Sequence, residues 1–76
     1  MIKTGAQIRA ARAMLGLRRE DLARAALLHP NAVQYWEKRE EPAGPQPYAV
    51  ERIVAALKEK GIETFSDPHP GVRLVT

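Results

Sequence analysis

The chain has 76 residues, enough for one small domain, and its 45% hydrophobic and 28% charged residues are typical of a folded chain rather than a disordered one. It has no cysteine and only two histidines, His29 and His69, which excludes disulfides and thiolate metal sites and argues against a histidine-built metal site. The formal net charge of +3 is uneven, because residues 1–39 hold eight Lys and Arg against three acids, whereas residues 40–76 hold four against six.

The basic first half suggests a surface that binds a polyanion, since clustered Lys and Arg are the electrostatic footprint of nucleic-acid binding; a solvated basic surface is the alternative. The sequence has no apolar run long enough to span a membrane and no signal-peptide core near Met1, so we expect a cytoplasmic protein without membrane contact. No nucleophile stands near a suitable base, so we expect no enzymatic activity, no cofactor and no metal.

The first two predicted helices lie in the basic half. The first runs over Thr4–Leu15, with Thr4 as its N-cap, Gln7 three residues later as in a capping box, and Gly16 as its stop. The second runs over Arg18–Ala26, and its first turn holds two acids, which the helix dipole favours.

A three-residue turn at residues 27–29 separates the second helix from the third. Pro30 is tolerated at the first position of a helix but not in its interior, so the third helix is predicted from Pro30 to about Arg39. Val33 and Trp36 share its apolar side. Residues 40–47, with three prolines and a glycine, predict a loop.

The fourth predicted helix, from about Pro47 to Lys60, has the clearest amphipathic pattern, and Gly61 caps it. Its apolar stripe consists of Val50, Ile53, Val54 and Leu57. The rest of the chain predicts a β-hairpin with strands Ile62–Phe65 and Val72–Val75 joined by a six-residue loop. Because two isolated strands are marginal in water, this hairpin needs a partner surface, either its own helices or another chain.

Two adjacent stretches, residues 16–26 and 28–39, carry a helix-turn-helix pattern. The residues that define the pattern are Gly16, Glu20, Leu22, Ala23, Ala26, Val33, Trp36 and Glu37. They resemble the family motif of the xenobiotic-response-element (XRE) proteins, which include the lambda-type phage Cro and repressor proteins. The family patterns are Gly-hydrophobic-Ser-Gln-Glu-x-Leu-Ala-x-x-Ala-Gly and Val-Ser-x-x-x-Val-Ser-x-Trp-Glu-x-Gly. The resemblance covers residues 5–60, and the end of the chain is also similar to that of small bacterial members that close with a hairpin.

The resemblance implies a mostly α fold, a lambda repressor-like bundle of four to five short helices followed by a small C-terminal β-hairpin. It implies a helix-turn-helix DNA-binding domain over residues 1–61 and a hairpin over residues 62–76 that is a candidate dimerisation element. The implied function is sequence-specific binding of double-stranded DNA by a bacterial or phage transcriptional regulator, which acts as a homodimer. The alternative is a protein-interaction module, such as an antitoxin or regulatory adaptor, which the acidic second half and the hairpin would serve.

The same interpretation assigns the side chains that contact DNA. An α-helix fits the major groove, where amide side chains hydrogen-bond to adenine, so the predicted base contacts are Asn31, Gln34 and Tyr35. The predicted phosphate contacts are Arg19, Lys38, Arg39, Arg9 and Arg12. For Arg9 and Arg12 a merely solvated face is an equal alternative, and Tyr48 is expected either to contact phosphate or to pack on the surface.

The sequence departs from the family motif at the turn and at the helix ends. Leu27 stands in place of the turn glycine, so either the turn differs or strain is stored at a left-handed residue. Arg18 and His29 replace the serines that cap the second and third helices and are expected to be poorer caps. Arg39 replaces the glycine that closes the motif.

Overall fold

The computed structural model describes residues 5–39, 48–65 and 69–75. Within these residues the elements follow in the order α1 (Gly5–Leu15), α2 (Arg19–Ala26), α3 (Pro30–Glu37), α4 (Tyr48–Glu59), β1 (Ile62–Phe65) and β2 (Gly71–Leu74). Four helices followed by a two-stranded antiparallel sheet confirm the predicted mostly α architecture with a terminal hairpin. The predicted N-cap Thr4, the predicted loop at 40–47 and residues 66–68 of the hairpin loop lie outside the described residues.

The core contains most of the apolar positions predicted for the third and fourth helices. Its buried members are Ile8, Ala11, Leu22, Ala23, Ala26, Val33, Val50, Ile53, Ala56, Leu57 and Ile62. Leu15, Leu28, Trp36, Val54 and Val72 pack against this cluster and are partly buried. Small residues of α2 let neighbouring helices approach closely. The hairpin contributes Ile62 to the core.

The first and fourth helices end at their predicted glycines, and the third ends earlier than predicted. Gly16 and Gly61 have φ of +65° and +89°, the left-handed conformation that ends a helix and that glycine adopts without steric cost. Both glycines therefore act as the predicted stops of α1 and α4. The third helix ends at Glu37, two residues before its predicted end, and Lys38 is its C-cap.

The turn between α2 and α3 keeps the left-handed geometry of a turn glycine although a leucine stands there. Leu27 has φ 58° and ψ 44°, and its amide and that of Leu28 donate to the carbonyls of Arg24 and Ala23 at 3.2 and 2.8 Å. Of the two expected alternatives, an altered turn or stored strain, the structure therefore has strain. A left-handed residue with a Cβ costs about 1–2 kcal/mol.

Replacing Leu27 by glycine is expected to stabilise the domain. The leucine side chain is 74% exposed, so its removal sacrifices little burial. Relief of the left-handed strain outweighs the extra chain entropy of a glycine, for a net gain of about 1 kcal/mol in the free energy of unfolding. Chemical denaturation measures the gain, and Leu27→Ala, which keeps the Cβ, serves as control. A glycine variant no more stable than the alanine variant would contradict the strain.

The hairpin uses its own helices as its partner surface. β1 pairs with β2 in the register Ile62↔Leu74 to Phe65↔Gly71, so the second strand starts one residue earlier than predicted, because Gly71 still pairs with Phe65. β1 contacts α4, and β2 contacts α1. The Gln7 side chain of α1 donates from Nε2 to the carbonyls of Phe65 and Gly71, at 2.9 and 3.0 Å, and so ties both strands to the first helix.

The outer face of the hairpin carries charges and one ring. Glu63 and Arg73 form an ion pair across the strands, and both side chains are at least half exposed. The guanidinium of Arg73 lies 5.0 Å from the centre of the Phe65 ring, and that ring also covers Gly71 so closely that a Cβ there would lie 2.7 Å from it. The Phe65 ring thus packs against residues of its own hairpin.

Candidate nucleic-acid interface

The third helix separates a buried face from an exposed one. Val33 and Glu37, four residues apart, face the interior and are both buried. Asn31 and Tyr35, also four residues apart, are exposed on another side, and Gln34 beside them is partly buried. The structure thus brings the three predicted base contacts together on one stretch of α3, with Gln34 the least accessible of them.

His29 caps the start of this helix. Its Nδ1 accepts a hydrogen bond from the backbone N–H of Asn31 at 3.1 Å, and Pro30 occupies the first helical position. His29 thus takes the place of the cap serine as acceptor, because an imidazole nitrogen without a proton accepts a hydrogen bond, and its lower strength as a cap than serine stays a prediction. This bond fixes the backbone that carries the first predicted base contact.

The start of the second helix is capped in a different way. The Asp21 carboxylate accepts from the backbone N–H of Arg18 at 3.1 Å and pairs with the Arg18 guanidinium at 3.3 Å. These two hydrogen bonds, the side-chain one first, lower the pKa of the Asp21 carboxyl. The missing serine cap at Arg18 is thus compensated by an acid three residues later, the reciprocal half of a capping box.

A ring and guanidinium cluster closes the third helix. The rings of Tyr35 and Trp36 meet edge to face with centres 5.0 Å apart, and the Arg39 guanidinium carbon lies 5.5 and 5.4 Å from those centres. Arg39 Nη1 also donates to the Tyr35 hydroxyl at 2.9 Å. Arg39, which replaces the closing glycine of the motif, is therefore held in one place by both aromatic neighbours.

A buried carboxylate organises the basic side chains predicted to bind phosphate. The Glu37 side chain is only 3% exposed and accepts from Arg12 Nε at 2.5 Å and Nη2 at 3.3 Å, and from Arg19 Nε at 3.0 Å. Arg9 donates from Nη1 to the Glu37 backbone carbonyl. Three arginines of α1 and α2 thus converge on the last residue of α3.

This network distinguishes the five predicted phosphate contacts. Arg12 also donates from Nη1 to the Leu17 carbonyl at 3.1 Å, and its side chain is 20% exposed, so its guanidinium serves the fold. Arg19 is 42% exposed beside Glu37, and Arg9, Lys38 and Arg39 are exposed residues. Glu37 was not among the predicted site residues, and its signal in the sequence is that only three acids accompany the eight bases of residues 1–39.

The fourth helix begins with a second ring and guanidinium pair. Tyr48 is exposed, and the Arg52 guanidinium lies 4.9 Å from its ring centre. The spacing of four residues places both on one side of α4. Arg52 was not among the predicted site residues, although this spacing of an arginine after a tyrosine was visible in the sequence.

Within residues 5–39, 48–65 and 69–75, no group of three acidic or histidine side chains is placed to hold a metal ion, and none of the helices is both long and apolar enough to cross a membrane. No family model and no curated protein matches the chain.

Proposed function

We propose that this protein is a sequence-specific, double-stranded DNA-binding transcriptional regulator of the cytoplasm, with a lambda repressor-like helix-turn-helix fold. The observation that carries the proposal is the pairing of α2 and α3 through a three-residue turn, with polar Asn31, Gln34 and Tyr35 on the outer side of α3. A short helix with an amide-bearing outer side fits the major groove and can contact base edges there.

The charge distribution supports the same proposal. Lys38 and Arg39 follow α3 directly, and Arg19 stands at the start of α2 with its side chain partly exposed. Lysine and arginine beside a groove-binding helix neutralise phosphates and fix its register on the duplex. Arg9 remains a candidate phosphate contact, whereas Arg12 supports this surface through Glu37 rather than lining it.

Selection of bound sequences from a random duplex pool tests the function directly. With the selected operator in hand, Asn31→Ala and Gln34→Ala are each expected to lose roughly 1–3 kcal/mol on the operator and much less on random DNA, because base contacts carry the discrimination. Lys38→Ala is expected to weaken binding to both duplexes alike and to make the salt slope shallower by about one unit.

Lys38 is the matched variant for the phosphate class because it is exposed and lies outside the Glu37 network. Affinities at two salt concentrations for the three variants separate positioning from discrimination. A specificity ratio left unchanged by Asn31→Ala and Gln34→Ala would show that α3 does not distinguish sequences.

The second candidate function, a protein-interaction module such as an antitoxin or adaptor, is favoured by the exposed apolar side chains. Leu27, Tyr48, Leu74 and Val75 are all exposed, and none of them is among the three predicted base contacts. Absence of any salt-dependent binding to duplex DNA would make this the better proposal, since a phosphate-binding surface gives a steep negative slope.

We also propose a homodimer, because two recognition helices about 34–36 Å apart match one turn of DNA. The candidate seam is the junction of α4 with the hairpin. There, a groove of about 480 Å³ is walled by Val54, Ile62 and Val75, flanked by Lys58 and Glu63, and adjoined by the exposed Leu74. Within the candidate dimerisation hairpin, Val72 packs against the core of its own protomer and the Phe65 ring covers Gly71, so neither side chain is assigned to the seam.

Val54→Glu is expected to shift sedimentation at micromolar concentration from dimer to monomer, because a carboxylate would face the apolar wall of the partner. Ala55→Glu, on the exposed side of α4, is the control, because it adds the same single negative charge. A wild-type monomer both with and without DNA would exclude the dimer, and a dimer unaffected by Val54→Glu would place the seam elsewhere.

A further inference from the structure

The cluster that closes α3 has a feature that a base contact does not need. Tyr35 is 53% exposed, and its hydroxyl is already the acceptor for Arg39 Nη1 at 2.9 Å. A phenol hydroxyl that accepts one hydrogen bond still has its own proton to donate. The guanidinium keeps further N–H donors besides the one that Tyr35 receives.

These donors are complementary to an oxygen anion. A neutral O–H and a charged guanidinium held side by side match two oxygens of a phosphate, which is a frequent target of both arginine and tyrosine in DNA complexes. Contact with both Tyr35 and Trp36 restricts the guanidinium before any ligand arrives. Less side-chain entropy is then lost on binding than for a free arginine.

The cluster lies at the C-terminal end of α3, where anion binding needs positive charge. The C-terminal end of a helix carries partial negative charge, which repels an anion but attracts a guanidinium. Arg39 and the neighbouring Lys38 supply two positive charges at this end. These two charges offset the repulsion that a phosphate would meet at this end of the helix.

We propose that Tyr35 and Arg39 form one phosphate-binding unit, so that Tyr35 contacts the DNA backbone instead of a base and positions Arg39 as a clamp. The proposal rests on the proposed DNA-binding function and reassigns one of its three base contacts. It also gives a purpose to the arginine that stands in place of the closing glycine of the motif.

A double-mutant cycle on full-length protein tests the unit, with a random-sequence duplex and the selected operator at two salt concentrations. Tyr35→Phe is expected to weaken binding about 3- to 10-fold on both duplexes alike, because a hydrogen bond to a backbone group is lost. Arg39→Ala is expected to make the salt slope shallower by about one unit. In the Arg39→Ala protein, the further loss from Tyr35→Phe is expected to fall below about twofold, since contacting groups are not additive.

Lys38→Ala is the matched control, because it removes the same charge from the residue next to Arg39. Its loss is expected to add fully to that of Tyr35→Phe. Arg39→Lys is expected to keep the salt slope yet to abolish the effect of Tyr35→Phe, because an ammonium lacks the planar fork that both rings hold.

A readout without DNA checks the geometry of the cluster. The Nε–H NMR signal of Arg39 is expected to shift towards the value of a free arginine in Tyr35→Ala, and the fold is monitored by the backbone amide spectrum. An Arg39 signal already at the free value in the wild type would overturn the unit.

The outcomes in DNA binding are also distinct. A Tyr35→Phe effect that appears on the operator alone and persists in Arg39→Ala would return Tyr35 to base contact and overturn the inference, while DNA binding itself stands. A wild-type protein that binds neither duplex would overturn both the inference and the proposed function.

Discussion

Glu37→Ala is expected to lower the free energy of unfolding by about 3 kcal/mol, because it removes the common acceptor of a buried ion network. The Glu37 carboxylate is 3% exposed and is the only acid that Arg12 and Arg19 contact among the ion pairs of the described residues. Without it, the Arg12 guanidinium stays mostly buried and unpaired, which costs more than the pair itself contributed.

The size of the domain makes this loss easy to measure. A chain of this length is stable by roughly 5–10 kcal/mol, so the variant gives up a large share of its stability. The melting temperature is expected to fall by roughly 10–20 °C. Circular dichroism with thermal and chemical denaturation gives both quantities.

The chain offers a matched control in its second glutamate–arginine pair. Glu63 and Arg73 also form a cross-element ion pair, but their side chains are 50% and 63% exposed. Glu63→Ala is therefore expected to cost at most about 1 kcal/mol, as exposed pairs do. Equal losses for Glu37→Ala and Glu63→Ala would show that burial adds nothing to the Glu37 network.

A cycle with Arg12→Ala distinguishes the pair from its members. If Arg12 and Glu37 act through each other, the double variant is expected to lose little more than Glu37→Ala alone, since the mostly buried Arg12 guanidinium is gone and Arg19 is 42% exposed. Strictly additive losses would mean that the two side chains stabilise the fold independently.

The elements of this fold were predictable because their signals are local. The apolar positions of α4 repeat at helical spacing, and Val50, Ile53 and Leu57 are buried as that spacing requires. Gly16 and Gly61 ended the predicted helices for a steric reason that needs no tertiary contact. Pro30 likewise fixed the start of α3, which the structure confirms.

The ion network was not predictable, because its members lie far apart in the chain. Arg12 and Glu37 are 25 positions apart, and Arg19 and Glu37 are 18 apart. An arginine on a basic helix is by default a solvated or ligand-binding residue, and only packing of α1 against α3 turns it into a structural one. The cap hydrogen bond of His29 was not predictable either. Cap preferences rank serine above histidine and do not say which imidazole nitrogen is the acceptor.

Gly5 shows the same limit for backbone contacts. Its amide donates to the Arg39 carbonyl at 2.6 Å, and a Cβ on it would lie 2.5 Å from the Trp36 carbonyl oxygen and closer still to that of Glu37. The start of α1 therefore touches the backbone at the end of α3. Nothing in the local sequence distinguishes this glycine from an ordinary residue at a helix start.

Gly5→Ala is therefore expected to destabilise the domain by about 3 kcal/mol, because backbone carbonyls cannot move aside as a flexible side chain would. Helix propensity alone predicts the opposite sign, a gain of up to about 1 kcal/mol from alanine in a helix. The sign of the change, measured by chemical denaturation, thus decides between local preference and close approach.

Gly16→Ala is the matched glycine variant. An added Cβ there meets nothing within 4 Å, but φ is +65°, so we expect only the left-handed penalty of about 1 kcal/mol.

At temperatures where both variants are folded, Gly5→Ala is also expected to weaken DNA binding. A displaced α1 would shift the backbone carbonyls of Trp36 and Glu37, and with them the position of Arg39 in the Tyr35–Arg39 unit. Gly16→Ala leaves that contact intact and is expected to bind DNA like the wild type, so a parallel loss in both variants would trace the defect to general destabilisation instead of the α1–α3 contact.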